Sequence, residues 1–294
     1  MPSNEQRRET AKRKLERQLE NRAERARKRK QMTIAYSAAG VVAVVAVVAG
    51  LVWFTNRDDN STDTTAADAT PTSEQSAGVM PAGRSTPLAD TVSCSYPTDG
   101  GAASKPNNPP RTDGVPTTAP DATPSISIET TQGNIGLNLD GTLSPCTVNS
   151  FVSLAEQGYF NDTSCHRLVT GSGLQILQCG DPTGTGTGGP GYGFANEFPT
   201  DQYSESDPAL TSAVTYPRGT IAMANSGAPG SNGSQFFLVY GDSQLPPNYT
   251  VFGTIDETGI ATIEKVAAGG DDGSMSAGGG KPNTPIDIKT VRID

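Results

Sequence analysis

The sequence predicts a mainly β domain of about eight strands and two helices, closed into a barrel and preceded by a transmembrane helix and a disordered linker. Three observations support this prediction: apolar and polar residues alternate after residue 124, one run of the chain lacks charge, and a Thr-, Ser-, Pro- and Gly-rich stretch separates the two. They divide the 294 residues into a basic tail (1–32), a membrane segment (33–54), a low-complexity linker (55–123) and a folded domain (124–294).

Charge is distributed unevenly along the chain. Residues 1–32 hold 12 of the 22 Lys and Arg residues but only 5 of the 31 Asp and Glu residues. Their Glu and Arg side chains recur four residues apart, which predicts a solvated helix; attraction to anionic lipid headgroups is a compatible alternative. The rest of the chain has 10 basic and 26 acidic residues. We therefore expect no nucleic-acid binding there, because phosphate neutralisation needs clustered Lys and Arg.

Residues 33–54 contain no charged side chain. As a helix they would rise about 33 Å, enough to cross a hydrocarbon core of about 30 Å. Basic residues 27–30 precede the run and Asp58-Asp59 follow it, so the tail is expected in the cytoplasm and the folded domain outside. The prediction is a single-pass cell-membrane protein with an extracytoplasmic domain. A cleaved signal peptide fits less well, since its apolar region would span only about 7–15 residues.

Residues 55–123 are rich in Thr, Asp, Ser, Ala, Pro and Gly, and little in them could bury apolar surface. They are predicted to be mostly disordered linker. The stretch 91–97 differs from its surroundings because it has strand-like residues and a cysteine. It is therefore a candidate for docking on the folded domain.

Four cysteines lie beyond the predicted membrane segment, where disulfides can form. Two disulfides are expected, and four cysteines allow three connectivities. We prefer Cys94–Cys146, which would tie the linker to the domain, together with Cys165–Cys179, although strand facing does not decide between the alternatives. The single histidine, His166, and the wide cysteine spacing argue against zinc, so no metal site is predicted.

The folded domain begins with a predicted β-hairpin, since apolar and polar residues alternate from Ile126 to Leu139 around a turn at Gln132-Gly133. A helix is predicted to start at Ser144-Pro145 and to end at Gly158. Closing the strands into a barrel with two helices would protect the edges of the sheet. The remaining predicted elements are strands at 221–224, 235–240 and 286–293 and a helix at 259–268.

Several motifs follow one another in the domain. His166-Arg167 is followed after a loop by Gln178-Cys179-Gly180-Asp181, and a glycine-rich loop begins at Gly184. The most specific motifs come next: Gly219-Thr-Ile-Ala-Met-Ala-Asn, Asn232-Gly-Ser-Gln-Phe-Phe-Leu and Val251-Phe-Gly. Each motif alone is weak, but in this order, from about Ser125 to Asp294, the array resembles cyclophilin-type peptidyl-prolyl cis-trans isomerases.

The resemblance implies a closed eight-stranded antiparallel barrel capped by two helices, with a surface groove for a proline-containing peptide. Arg167 would be the catalytic arginine and Phe237 the floor of the proline pocket. The residues that would line the groove and bind the peptide backbone are Gln178, Ala224, Asn225 and Gln235. The family's Phe-Met pair is missing here, and Leu174 and Ile176 take its place; its frequent Trp has no match in residues 244–247, and its His is replaced by Tyr249. Leu174, Ile176, Leu245 and Tyr249 are also expected to contact the substrate.

The reaction implied by the resemblance cuts no bond, so it needs no nucleophile, metal or cofactor. Rotation about an X–Pro bond is slow because amide resonance gives a barrier of about 18–20 kcal/mol. An arginine that donates to the nitrogen of the twisted amide would favour that state over both planar isomers. We therefore expect a monomeric isomerase that acts on proline-containing polypeptides outside the cytoplasm and assists their folding.

Other functions fit the sequence less well or remain open. A proline-peptide-binding chaperone or scaffold with little turnover is the main alternative, and membrane tethering through residues 1–54 is a third. Gly184, Gly186 and Gly189 match G-x-G-x-x-G, but Pro190 follows where a dinucleotide site needs a helix, so a surface loop is predicted. His166 is expected to be structural and hydrogen-bonded, since no G-x-S-x-G motif accompanies it.

Overall fold

The computed structural model describes residues 78–294. The predicted tail (1–32), the predicted membrane segment (33–54) and the first part of the predicted linker (55–77) lie outside the described residues. Between residues 78 and 294, neither α-helix has the length and the apolar character that a membrane span requires.

Fourteen strands and two α-helices form within residues 78–294, with short 3-10 helices at Thr200–Gln202 and Pro208–Thr211. The α-helices are α1 (Pro145–Glu156) and α2 (Glu257–Ala267). The strands are β1 (Gly78–Val79), β2 (Thr91–Val92), β3 (Val115–Pro116), β4 (Ser125–Thr130), β5 (Asn134–Leu139), β6 (Thr163–Ser164), β7 (Arg167–Gly171), β8 (Leu174–Cys179), β9 (Val214–Tyr216), β10 (Thr220–Met223), β11 (Phe236–Gly241), β12 (Ser243–Leu245), β13 (Val251–Ile255) and β14 (Asp287–Ile293).

Nine strands form one antiparallel sheet in the order β6-β14-β4-β5-β13-β10-β11-β8-β7, which curls into a half-barrel. The predicted mainly β fold with two helices is confirmed, and the predicted hairpin is β4–β5. The closed eight-stranded barrel is not observed in the described part of the chain, since the end strands β6 and β7 share no ladder. Instead, Leu168 and Gly280 exchange backbone hydrogen bonds of 2.8 and 3.0 Å, so a loop covers that edge.

The strand register separates two apolar clusters on opposite faces of the main sheet, because successive side chains on a strand point to opposite sides. Leu168, Leu177 and Leu238 lie side by side on β7, β8 and β11 and face the larger cluster, which also contains apolar side chains of both helices. The neighbouring residue on each strand points the other way, where a second cluster forms around Phe237. This second face carries the predicted site.

Helix α1 starts at the predicted proline, but its first turn is stabilised differently from the sequence expectation. Ser144 holds the N-cap position without a side-chain cap, because its hydroxyl donates to a strand carbonyl at 2.7 Å. The buried carboxylate of Glu197 accepts from the backbone N–H groups of Cys146 at 3.1 Å and Thr147 at 2.8 Å instead. An acidic group there also interacts favourably with the helix dipole.

Helix α2 begins two residues before the predicted start. Asp256 is the N-cap residue, and its carboxylate accepts from the backbone N–H of Gly259 at 2.6 Å. The inward side chains Ile260, Ile263 and Val266 recur at helical spacing and are fully buried.

Residues 78–123, called here the N-terminal segment, pack against the domain, so their prediction as disordered linker is wrong. Strand β1 pairs with β9, and β2 pairs with β3. The stretch 91–97 contains β2 and the buried side chains of Cys94 and Tyr96. Composition was misleading because a disulfide and main-chain hydrogen bonds, rather than a large apolar area, hold this segment in place.

Both preferred disulfides are present. Cys94–Cys146 joins the N-terminal segment to the first turn of α1, and Cys165–Cys179 connects the chain before β7 to the last residue of β8. The second pair lies beside the predicted site, since it flanks Arg167 and Gln178 in sequence.

Candidate active site

Arg167, Gln178 and Phe237 form a row across three adjacent strands. Arg167 of β7 lies opposite Gln178 of β8, which in turn lies opposite Phe237 of β11. Residues paired in this way project to the same face of a sheet. Phe237 lies more than 50 residues beyond Arg167 and Gln178 in the sequence, and the pairing of β8 with β11 brings it beside them.

The guanidinium of Arg167 is fixed by three hydrogen bonds. Nε donates to Gly278 O at 3.0 Å, Nη2 donates to Ala277 O at 2.8 Å, and Nη1 donates to Gln178 Oε1 at 3.3 Å. Burial lowers the pKa of Arg167, with Tyr249 acting in the opposite direction. The side chain still carries its charge at neutral pH, because arginine titrates only above about pH 12. Five N–H donors are present in a guanidinium, so two remain for a ligand.

Side-chain amides continue this arrangement away from the arginine. Gln178 Nε2 donates to Gln235 Oε1 at 2.9 Å, and Gln235 Nε2 donates to Gly188 O at 2.9 Å. We call the series Arg167, Gln178, Gln235 and Gly188 the amide chain. Its hydrogen bonds fix the orientation of both glutamine amides.

An apolar cluster, called here the notch, forms around Phe237 on the sheet face that also carries Arg167; Phe237 itself is only 3% exposed. The ring of Tyr249 meets the ring of Phe237 edge-on with centroids 5.6 Å apart, a favourable aromatic geometry. The predicted wall residues Leu174, Ile176 and Leu245 belong to the same cluster. All three are aliphatic, so the notch is less aromatic than the family pattern.

Tyr216 supports this notch and was missed by the sequence analysis. Its hydroxyl donates to Tyr249 O at 3.0 Å and lies 3.2 Å from Pro246 O, which holds the loop that carries Tyr249. Burial raises the pKa of Tyr216, so the hydroxyl stays protonated and available as a donor. No motif marked this residue, because its role depends on the distant pairing of β9 with β12.

Asn225 is held at the edge of the site. Its Nδ2 donates to Asn248 O at 2.9 Å, and its Oδ1 accepts from Gly227 N at 2.9 Å. The backbone N–H of the preceding residue, Ala224, donates to Gln235 O at 2.9 Å. This bond extends the β10–β11 pairing by one residue, past the last residue of β10 and before the first residue of β11. Fully buried Asn232, to which the sequence analysis gave no role, packs beneath Asn225 with Oδ1 3.3 Å from its Nδ2.

A cavity of about 510 Å³ opens beyond the amide chain. Four predicted peptide-binding residues line it, namely Gln178, Ala224, Asn225 and Gln235. The other predicted site residues, Arg167, Phe237, Leu174, Ile176, Leu245 and Tyr249, lie on the notch side. The predicted site residues therefore belong to two adjoining regions, which the amide chain separates.

The loop that borders the cavity is organised by Asp181, which is fully buried. Burial acts to raise the pKa of Asp181, but hydrogen bonds from Thr183 and from the backbone of Gly188 and Gly186 hold it below its ordinary value. The loop thus wraps an ionised carboxylate, and no helix follows Gly189. The prediction of a surface loop at residues 184–189 is confirmed.

His166 is buried beside Asp181 and does not face the notch. It is 3% exposed, and burial lowers its pKa, so the ring is neutral. The expected hydrogen bond is absent within residues 78–294, since neither ring nitrogen has a partner there. A structural role is retained, because the side chain lies inside the molecule.

Comparisons with known proteins point to one family. The model described as "Cyclophilin type peptidyl-prolyl cis-trans isomerase/CLD" matches residues 125–293. A Mycobacterium leprae protein named "Probable peptidyl-prolyl cis-trans isomerase B" is 52% identical over 100% of both chains. A protein of the same name from Mycobacterium tuberculosis (strain ATCC 25618 / H37Rv) is 57% identical over 69% of this chain and 64% of its own. A solved Cryptosporidium parvum cyclophilin type peptidyl-prolyl cis-trans isomerase is 30% identical, with a TM-score of 0.46 over 58% of this chain and 98% of that one.

A curled β-sheet with a fixed guanidinium beside an apolar notch, and no nucleophile in the row, is typical of enzymes that rotate peptide bonds without cleaving them. The family match covers more than half of the chain, and the M. leprae relative covers all of it. This chain belongs to the cyclophilin-type peptidyl-prolyl cis-trans isomerase family. It is a peptidyl-prolyl cis-trans isomerase, and proline-containing peptides are its substrates.

Proposed function

We propose that Arg167 is the catalytic residue of this isomerase and that the substrate proline ring rests on Phe237. The observation that carries the proposal is the position of the guanidinium, which is held by three hydrogen bonds beside the notch. No carboxylate within residues 78–294 forms a salt bridge with it. The walls around the ring would be Leu174, Ile176, Leu245 and Tyr249.

The chemistry follows from the electronic change during rotation. A planar X–Pro amide has no lone pair available on nitrogen, whereas the twisted amide has a pyramidal nitrogen that accepts a hydrogen bond. A donor from Arg167 therefore binds the twisted state more tightly than either planar isomer, and only such a difference accelerates the reaction. Partial burial strengthens the contact, because nearby protein replaces water. The donor is fixed in advance and needs no reorganisation during rotation.

One side of the peptide must be held while the other side turns. Gln178, Gln235, Ala224 and Asn225 line the cavity next to the notch and offer amide and backbone groups to an extended chain. The amide chain fixes both glutamines, so they can hold the substrate backbone without losing further side-chain freedom.

The assignment of Arg167 is tested with a protease-coupled assay on a proline peptide. Arg167→Ala should lower kcat/KM by about 10- to 150-fold, since a charged hydrogen bond made in the twisted state contributes about 1.5–3 kcal/mol. Arg218→Ala is the matched control, because Arg218 is exposed and pairs with Glu257 and Glu264. An unchanged rate for Arg167→Ala would refute the assignment.

A second candidate function is binding of proline segments with little turnover, as a chaperone or scaffold. The aliphatic wall formed by Leu174, Ile176 and Leu245 is consistent with low turnover, since fewer aromatic contacts would hold the ring less firmly in the twisted state. Affinity and rate measured on the same peptide separate the two functions. Tight binding with an exchange rate near that of the free peptide would support the scaffold.

The domain is further proposed to act as a monomer outside the cytoplasm, anchored by residues 33–54. Two disulfides use all four cysteines, and such bonds persist mainly in oxidising compartments. Protease added to intact cells should remove the domain if it is external and spare it if it is cytoplasmic. Deleting residues 1–54 should release the domain with its activity intact; loss of activity would favour a role for the anchor in the reaction itself.

A further inference from the structure

The N-terminal segment forms one wall of the cavity beside the proline site. Asp99, Gly101, Ala102 and Ser104 line it, opposite residues such as Asn225. These four residues precede the part of the chain that matches the family model, which begins at residue 125. The wall therefore comes from outside the part of the chain that matches the family model.

Backbone pairing holds the wall against the glycine-rich loop. Ser104 N donates to Gly189 O at 2.9 Å, and Gly189 N donates to Ser104 Oγ at 3.0 Å. At the other end, Gly193 N donates to Pro97 O at 3.0 Å. Between these points the N-terminal segment approaches the glycine-rich loop closely at Gly191, whose φ of +83° and lack of Cβ permit the contact with Ala103.

Side-chain anchors fix both ends of the same wall. The ring of Tyr96 packs edge-on against Tyr192 and Phe194 with centroids 5.6 Å away in each case, and the Cys94 disulfide lies two residues before it. Beyond the wall, Lys105 Nζ donates to two backbone carbonyls at 2.8 and 3.0 Å. The position of the wall is thus defined by the fold, and a ligand does not have to order it.

The chemistry of the cavity lining favours a positively charged ligand. Asp99 is the only charged residue among the described residues that line the cavity. One of its carboxylate oxygens accepts from Gly101 N at 2.8 Å, and no cation within residues 78–294 pairs with it. The rest of the lining consists largely of glycine backbone, hydroxyls and amides, which offer further oxygen acceptors. A lysine ammonium or an arginine guanidinium needs such acceptors, since both are pure donors.

Size and overall charge agree with such a ligand. A volume of about 510 Å³ lies within the range of about 300–1,000 Å³ that is usual for ligand pockets. Residues 78–294 carry 9 Lys and Arg residues against 21 Asp and Glu residues, so the domain attracts cationic peptides at long range.

We propose that this cavity is a specificity subsite for a lysine or arginine side chain of the substrate, and that Asp99 of the N-terminal segment is its selecting residue. The inference rests on the proposed function, because it places the peptide along the amide chain with proline on Phe237. Substrates would then be proline-containing segments with a basic residue within a few positions of the proline.

The test uses the full chain and blocked peptides with one proline, in which each of the three residues on either side is in turn Lys, Glu or Gln. Both kcat/KM and Kd are measured at low and high salt. At one position or more, the wild type should prefer Lys over Glu. Asp99→Asn should reduce this ratio by about threefold, a typical effect for an exposed charge, and Asp99→Lys should invert it. High salt should weaken the preference by screening.

The matched control is Asp121→Asn, since Asp121 is an exposed acid of the same segment that does not line the cavity. It should keep the wild-type ratio. The inference is overturned if the wild type shows no Lys preference at any position, or if Asp99→Asn keeps the wild-type ratio. Failure of the proposed function looks different: the Gln peptide would bind without being isomerised. The Lys-to-Glu ratio of Kd would then decide the inference by the same criteria.

Discussion

Gln178 Nε2 donates a hydrogen bond of 2.9 Å to Gln235 Oε1, and this bond connects the proline notch to the cavity beside it. Gln178 Oε1 also accepts from Arg167 Nη1 at 3.3 Å. One amide therefore orients the guanidinium with its oxygen and the second glutamine with its nitrogen. The side chain of Gln178 therefore both lines the cavity and positions the arginine.

Gln178→Ala is expected to lower kcat/KM by about tenfold, because Arg167 loses one of its three fixed partners and about 1.4 kcal/mol corresponds to a factor of ten. The protease-coupled assay measures the effect. Gln132→Ala serves as a control, since Gln132 is a partly exposed residue of the β4–β5 turn. Equal rates for both variants would show that the amide chain does not position the arginine.

Tyr249→Ala is expected to raise the Kd of proline peptides about fivefold, because it removes one proposed wall of the proline site and about 1 kcal/mol corresponds to a factor of five. Tyr249→Phe keeps the ring against Phe237 and should bind nearly as the wild type does. Peptide titration followed by NMR gives both affinities. If the Phe variant binds as weakly as the Ala variant, the ring is not the contact that matters.

Cys94→Ser combined with Cys146→Ser should destabilise the domain by about 4 kcal/mol, the chain-entropy value for closing a loop of 52 residues. Urea unfolding of the wild type and the double variant, both without reductant, measures the difference. An unchanged midpoint would mean that the N-terminal segment packs without needing the covalent link. The second disulfide is unsuitable as a control because it lies beside Arg167.

The stability of the folded chain should fall as the pH drops from about 7 to 5, through its single histidine. Burial lowers the pKa of His166 below its ordinary value of 6.5, so the unfolded state binds the proton first and is favoured as the pH falls through 6.5. Urea midpoints at several pH values should show this slope in the wild type and a flatter one in His166→Gln. Equal slopes in the two proteins would show that His166 does not carry the effect; Glu197, whose pKa is raised by burial, acts with the opposite sign and cannot account for such a fall.

Those parts of the fold and site that depend on local patterns were predictable. The β4–β5 hairpin follows from period-two alternation, and α1 from its starting proline and terminal glycine. Arg167, Gln178 and Phe237 were identified because each lies within a motif of fixed spacing. Their common row became visible only with the strand register.

The parts that depend on distant contacts were not predictable. Low apolar content suggested a disordered stretch at 78–123, but a disulfide and backbone pairing hold it. Among the described strands the barrel does not close, and the free edge of β7 is instead covered by the loop that contains Gly280, which lies more than 100 residues further along the chain. Tyr216 and Asp99 belong to no motif, and their places beside the site arise from pairing between separate strands and segments.

Exchange spectroscopy on one proline peptide tests the central claim most directly, because it yields the isomerisation rate and the affinity in the same sample. With wild-type chain, cis and trans resonances should exchange far faster than in the free peptide. With Arg167→Lys, which keeps the charge but loses the planar fork, exchange should fall about tenfold or more while Kd changes by less than about threefold. Wild-type exchange rates in that variant would contradict the role given to the guanidinium.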